Sequence, residues 1–291
     1  MYVGFELNKY SGVSTVLKPK ADEFRQQAKG RFNELSSYLI GVFENKEVID
    51  AEKIASHIFP TQKADIFLSH SHADEDKAIE LAVSLQNKGL NVFVDSCVWG
   101  YFHELLDELN TVYAEPKYKE GRVIYDYRKA TGLTAGVHMM LSGALHQMIQ
   151  RSELFIFLNT EKSVPLEDYQ SFDRTFSPWI YSELQFSSFV ERNTPDRHLR
   201  VTNESYDGTE RFIKSTAATR SDVVLAFKAF NRHLPKVTGD EMRRWYDQPV
   251  FASRGRSKAE VALDSLYEAQ DLPGRYSDLE RQLKESDKSK G

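Results

Sequence analysis

Residues 65–76 read D-I-F-L-S-H-S-H-A-D-E-D and residues 89–95 read G-L-N-V-F-V-D. The apolar runs in both have strand length, and the residues between them, Ile79, Leu81, Ala82 and Leu85, recur at helical spacing before Gly89 ends the pattern. Strand, helix, strand with a glycine stop predicts a βαβ unit, whose strands lie parallel in one sheet. The pattern resumes with a helix over about 137–149, carrying Met140, Leu141, Ala144, Leu145 and Met148, and with the buried run L-F-I-F-L-N-T at 154–160. A further helix is predicted from Ser177, a natural N-cap, and Pro178, a natural first helical residue. The last strand candidate, H-L-R-V-T-N at 198–203, is weakened by its two basic residues. The expected architecture is α/β, a parallel sheet with helices on both faces, and such sheets bind ligands at the carboxyl ends of their strands. That directs attention to the residues after Leu68, Val94 and Leu158.

Upstream, residues 1–62 read as a helical preface. Phe24, Ala28, Phe32, Leu35, Leu39 and Phe43 suggest one long amphipathic helix, and Ile54, Ala55, Ile58 and Phe59 a second, from an Asp50 cap to Pro60. Between the second and third strands lies a long insertion, about 97–136. It holds an amphipathic piece (Leu105, Leu106, Leu109, Tyr113), a polar turn at 117–121 and V-I-Y-D-Y, and insertions of this length at a sheet edge are commonly lids. Residues 204–291 read as a helical extension, with A-F-K-A-F-N-R-H-L and V-A-L-D-S-L-Y-E-A-Q its clearest pieces and L-K-E-S-D-K-S-K-G a disordered tail.

Of the 291 residues 41% are hydrophobic and 28% charged, and the mean hydropathy is −0.51, the profile of a soluble globular chain. No apolar run approaches the roughly 18 residues of a membrane helix. No secretory leader is evident, and Cys97 stands alone, so the cytoplasm is the expected location. Net charge is −5, which disfavours general nucleic-acid binding. A local basic patch at Arg243, Arg244, Arg254, Arg256 and Lys258 reads more simply as a solvated surface.

Three clusters carry potential chemistry. His70-x-His72-x-Asp74 has a metal-ligand look, similar to the H-x-H-x-D-H run of metallo-β-lactamase-type hydrolases, but Glu75 stands where the last His belongs, and His103, His138 and His146 are poorly placed to complete a site. The plainer reading is a loop feeding a helix whose first turn is acidic. In S-P-W-I-Y-S-E, Trp179 and Glu183 are four apart and share a helix face, so the indole can wall the carboxylate; a lone helical Glu is otherwise ordinarily solvated. In V-D-S-C-V-W-G-Y, Asp95 and Ser96 end a strand, and Trp99 is either packing or a stacking surface for a flat ring. No Walker loop, GxGxxG, HExxH or GxSxG is present.

Taken together, D-I-F-L-S-H-S at 65–71, G-L-N-V-F-V-D at 89–95 and S-x-W-I-x-x-E-L at 177–184 resemble, in order and spacing, the signature boxes of a Toll/interleukin-1 receptor (TIR) domain. V-H-M-M-L-S-G-A-L-H-Q-M-I and E-L-F-I-F-L-N-T resemble the helix and strand before the third box in bacterial TIR proteins. The resemblance covers residues 63–203, about half of the chain, and departs from the short family form in the insertion.

It implies a flavodoxin-like sheet and, for many bacterial and plant members, cleavage of NAD+ at the nicotinamide N-glycosidic bond, with NAD+ as substrate and no further cofactor or metal. It places the catalytic carboxylate at Glu183, beside Trp179, where it would orient the ribose and stabilise an oxocarbenium-like transition state. Nicotinamide leaves as a neutral group, so no general acid is required. Attack by water would give ADP-ribose, and attack from within the molecule a cyclic ADP-ribose isomer. Less directly, Ser69, His70 and Ser71 would face the ligand, Asp95, Ser96 and Trp99 would open a gating loop, and His138, near the same edge, is an addition from position alone.

The leading expectation is therefore an NAD+-consuming enzyme of the anti-phage defence type (Thoeris-like), assembling as a homo-oligomer through TIR contacts and signalling to a separate effector protein, without nucleic-acid or membrane partners. The alternatives are a non-catalytic TIR interaction module and a metal-dependent hydrolase built on His70 and His72.

Overall fold

The computed structural model describes residues 1–28, 35–59, 63–119, 121–169, 172–195, 225–251 and 255–288. The strand candidate at 198–203 lies outside them.

The chain opens on a strand, β1 (Val3–Asn8), in which Val3, Phe5 and Leu7 alternate with Gly4, Glu6 and Asn8. This corrects the helical reading of residues 1–62. Helix α1 (Lys18–Ala28) buries Phe24 as expected, but the chain does not continue helically to Phe43. Instead β2 (Leu39–Phe43) and β3 (Lys46–Ile49) form an antiparallel hairpin. Glu44 and Asn45 both take positive φ (48° and 60°), the geometry of a two-residue hairpin turn that matches strand twist. Helix α2 (Ala51–Ile58) starts at its expected cap, Asp50, whose side chain accepts from the Lys53 amide.

The predicted βαβ unit follows: β4 (Ile66–Ser69), α3 (Glu75–Asn87) and β5 (Val92–Val94), with Gly89 at φ 88° where the helix ends. The insertion is filled by α4 (Ser96–Tyr113), an exposed hairpin of β6 (Lys117–Lys119) and β7 (Arg122–Ile124), and α5 (Tyr127–Arg151). Helix α4 buries Leu105 and Leu109, so the segment expected to open as a gating loop is helical from Ser96.

Next come β8 (Leu154–Leu158), the antiparallel pair β9 (Leu166–Tyr169) and β10 (Phe172–Thr175), and α6 (Pro178–Phe189). A-F-K-A-F-N-R-H-L is not helical. Its Phe227–Lys228 forms β11, which pairs with β10, because Phe227 sits in register with Thr175. The chain closes with β12 (Lys236–Thr238), α7 (Gly239–Tyr246), α8 (Lys258–Gln270) and α9 (Leu272–Lys288), so the tail expected to be disordered is helical through Lys288.

Five strands make one parallel sheet in the order β12-β1-β8-β4-β5. The stretch β5-β4-β8 follows a flavodoxin-like order, whereas the next two places are taken by β1, from the start of the chain, and β12, from beyond residue 203. Buried Phe5, Phe67, Phe155 and Phe157 anchor the core, with the Phe67 and Phe155 rings stacked at 5.8 Å. Gly239 is needed where α7 meets the end of β1, since a Cβ there would stand 2.5 Å from the Lys9 carbonyl oxygen. From β4 the chain crosses to β5 and from β8 towards β12, so the sheet's topological switch point lies between the carboxyl ends of β4 and β8.

Among the described residues no helix is long and apolar enough to cross a membrane. In the basic patch, Arg243 donates to the Gly12 carbonyl (2.7 Å), Arg256 pairs with Asp264 and Lys258 donates to the Asn87 carbonyl (3.1 Å), while Arg254 lies outside the described residues.

Candidate active site

Ser69 is the last residue of β4, and its hydroxyl donates to Glu183 Oε2 at 2.6 Å. Glu183 is delivered by α6. That helix starts where expected because the Ser177 hydroxyl accepts from the Ile180 amide (3.3 Å) and Pro178 takes the first position. Two ring stacks fix α6 against α5: His146 on Phe186 (4.3 Å, 2°) and His138 on Trp179 (5.2 Å, 11°). Phe102 of α4 meets the His138 ring edge-on at 4.8 Å. Trp179, one turn before Glu183, therefore belongs to an aromatic wall shared by three helices.

Two more groups join from the strand ends. His70 follows β4 and Asp95 follows β5, with His70 Nδ1 2.8 Å from Asp95 Oδ1. Ser69, His70, Asp95, Ser96 and Glu183 are all buried, and Glu183 is 0% exposed. Burial raises Glu183 well above the ordinary carboxylic acid range, the negative charge of Asp95 adds to the rise, and the Ser69 hydrogen bond only partly opposes it. For His70, burial favours the neutral ring but is outweighed by Asp95, so its pKa is raised. Both shifts favour the protonated forms of His70 and Glu183 beside Asp95. His70 Nε2 and Ser96 Oγ are buried without a hydrogen-bond partner, so the cluster holds polar capacity beyond its own contacts.

Of the residues singled out by sequence, Ser69, His70, Asp95 and Glu183 converge, with buried Ser96 next to them and Trp179 and His138 forming the wall. Ser71 is not brought in: its carbonyl accepts from the Asp74 amide in the turn that follows β4. Trp99 lies on α4, and its side chain is outside what the structure describes. The H-x-H pair diverges, since the His70 side chain is 0% exposed and that of His72 80% exposed. No group of three or more His, Cys, Asp or Glu suited to a metal occurs among the described residues. Phe102 was missed by sequence reasoning, being one apolar residue among many on an amphipathic helix.

The cluster is closed. A cavity of about 920 Å³ exists in the molecule, but it opens beside the carboxyl ends of β1 and β8, and none of Ser69, His70, Asp95 or Glu183 lines it. No family model matches the sequence, no curated protein matches it, and no solved structure matches the chain.

Proposed function

We propose that the protein is a TIR-type NAD+ glycohydrolase or ADP-ribosyl cyclase, acting through Glu183. One observation carries this reading. The three stretches that resemble the TIR boxes, at 65–71, 89–95 and 177–184, each send a polar side chain to the same buried point: Ser69, Asp95 and Glu183. That point lies at the sheet's switch point, the ordinary ligand position of open α/β folds.

The chemistry follows from the environment. A carboxylate beside the nicotinamide ribose accepts from its hydroxyls and favours the positive charge that grows at the anomeric carbon as nicotinamide leaves, and low surrounding polarity strengthens that interaction. In the closed cluster burial favours the protonated form of Glu183, which accepts a hydrogen bond from Ser69. Substrate can reach it only if the cover moves, and rehydration on opening would restore the carboxylate. Attack by water gives ADP-ribose, and internal attack, which takes up no water, gives a cyclic ADP-ribose isomer. The proposal includes assembly between copies, a separate effector reading the product, and a cytoplasmic, anti-phage setting.

The complete burial of Glu183 favours a second reading, in which the cluster only holds the fold and the chain is a TIR interaction module. The two are separated by incubating the protein at high concentration with NAD+ and resolving the products by mass. Nicotinamide together with ADP-ribose, or with a cyclic ADP-ribose one water lighter, supports the enzyme, and intact NAD+ supports the module.

A further inference from the structure

The cavity of about 920 Å³ lies beyond β8 from the Glu183 cluster, where residues following β1 and β8 meet β12 and α9. Its floor is built from fixed acceptors. Glu6, 1% exposed, accepts from Asn159 Nδ2 (2.8 Å) and Asn231 Nδ2 (3.1 Å), and Asn231 Nδ2 also donates to Asp173 (2.8 Å). Spending its amide nitrogen on two carboxylates leaves Asn231 Oδ1 buried without a partner, and Asn8 Oδ1 is in the same state.

The rim carries four lysines and Arg232 beside Asp74 and Glu161. Lys236 is the cross-strand partner of Glu6, whose carboxylate its charge favours, and Lys9 follows β1; both line the cavity. Lys77 and Lys162 stand at the other side, 3.2 and 3.9 Å from Asp74. Leu234, Leu279 and Leu283 provide an apolar side. Acceptors below, ammonium groups at the mouth and an aliphatic wall match a ligand with sugar hydroxyls, a phosphate and a flat apolar part.

The geometry points to a second small-molecule site in this cavity, distinct from the Glu183 cluster, for a mononucleotide-type ligand: hydroxyls on Glu6 and Asp173, phosphate on Lys9 and Lys236, base against the leucines. Its volume falls within the ordinary range for ligand pockets. The assignment does not depend on NAD+ cleavage.

The test is calorimetric titration of the full chain with AMP, adenosine and inorganic phosphate, on wild type, Glu183→Gln, Lys9→Ala/Lys236→Ala and Glu6→Gln. Saturable AMP binding should persist in Glu183→Gln, weaken at least ~10-fold in the double lysine variant, and exceed that of adenosine or phosphate alone. Glu6→Gln, close in shape to the wild type, should weaken AMP while leaving phosphate unchanged. Absence of saturable AMP binding, or binding abolished by Glu183→Gln and indifferent to the lysines, would overturn the assignment.

Discussion

Glu183 and His70 make stability depend on pH with one sign, and the proposed chemistry at Glu183 depends on pH with the other. Both have native pKa values raised above those of the unfolded chain, so both bind protons more tightly when folded. Their contribution to stability is complete below the unfolded values, near 4.5 for Glu and 6.5 for His, and is lost as pH rises through the raised native ones. Urea midpoints should therefore fall as pH rises from 5 to 9. Glu183→Gln, a neutral mimic of the protonated acid, should match or exceed wild type at neutral pH and show a shallower fall; a midpoint well below wild type would mean the buried group is ionised. Activity carries the other sign, because the transition state calls for the carboxylate. Nicotinamide release should decline on acidification at a pH higher than that of an ordinary glutamate. His72, with its side chain 80% exposed, should be replaceable by Ala with little effect on turnover or stability, whereas loss of activity there would revive the metal reading.

At the scale of elements, legibility followed chemistry. I-F-L-S, V-F-V and L-F-I-F-L announce themselves because parallel strands buried on both faces are apolar throughout. V-G-F-E-L-N does not, since Glu6 and Asn8 interrupt it, although Val3, Phe5 and Leu7 hold a strict alternation that was open to reading. The same interruption hid the cavity floor: Glu6 is polar because it serves Asn159 and Asn231. K-V-T is too short to read, and the E-N turn in 39–49 was overridden by an apparent helical spacing. Two substitutions test these elements. Phe5→Ala, at a fully buried position, should cost about 3–5 kcal/mol in urea unfolding, and a cost below about 1 kcal/mol would contradict the central placement of β1. Ser177→Ala removes the cap of α6 and should cost ~1 kcal/mol.

For the whole molecule, the decisive feature is that the sheet is completed from both ends of the chain. Residues 63–203 contain the entire resemblance and the Glu183 cluster, yet β8 pairs along its full length, from Leu154 to Leu158, with β1. An isolated 63–203 fragment would expose that edge and the apolar faces beneath it, so it should be unfolded or aggregated where the full chain is monodisperse in light scattering. A well-folded fragment would show that β1 and β12 are accessory. The outline of the candidate site was readable because strand exits and the Trp179–Glu183 spacing are local features. The burial of Glu183 and the His70–Asp95 contact depend on packing between distant segments, which no local pattern records.

The measurement that bears most directly on the account is nicotinamide release from NAD+ by wild type and Glu183→Gln protein, compared at high protein concentration with both shown to be folded. Wild type should release nicotinamide and the variant should lose roughly 100-fold or more while remaining at least as stable. Equal turnover in the two, or release by neither, would contradict it.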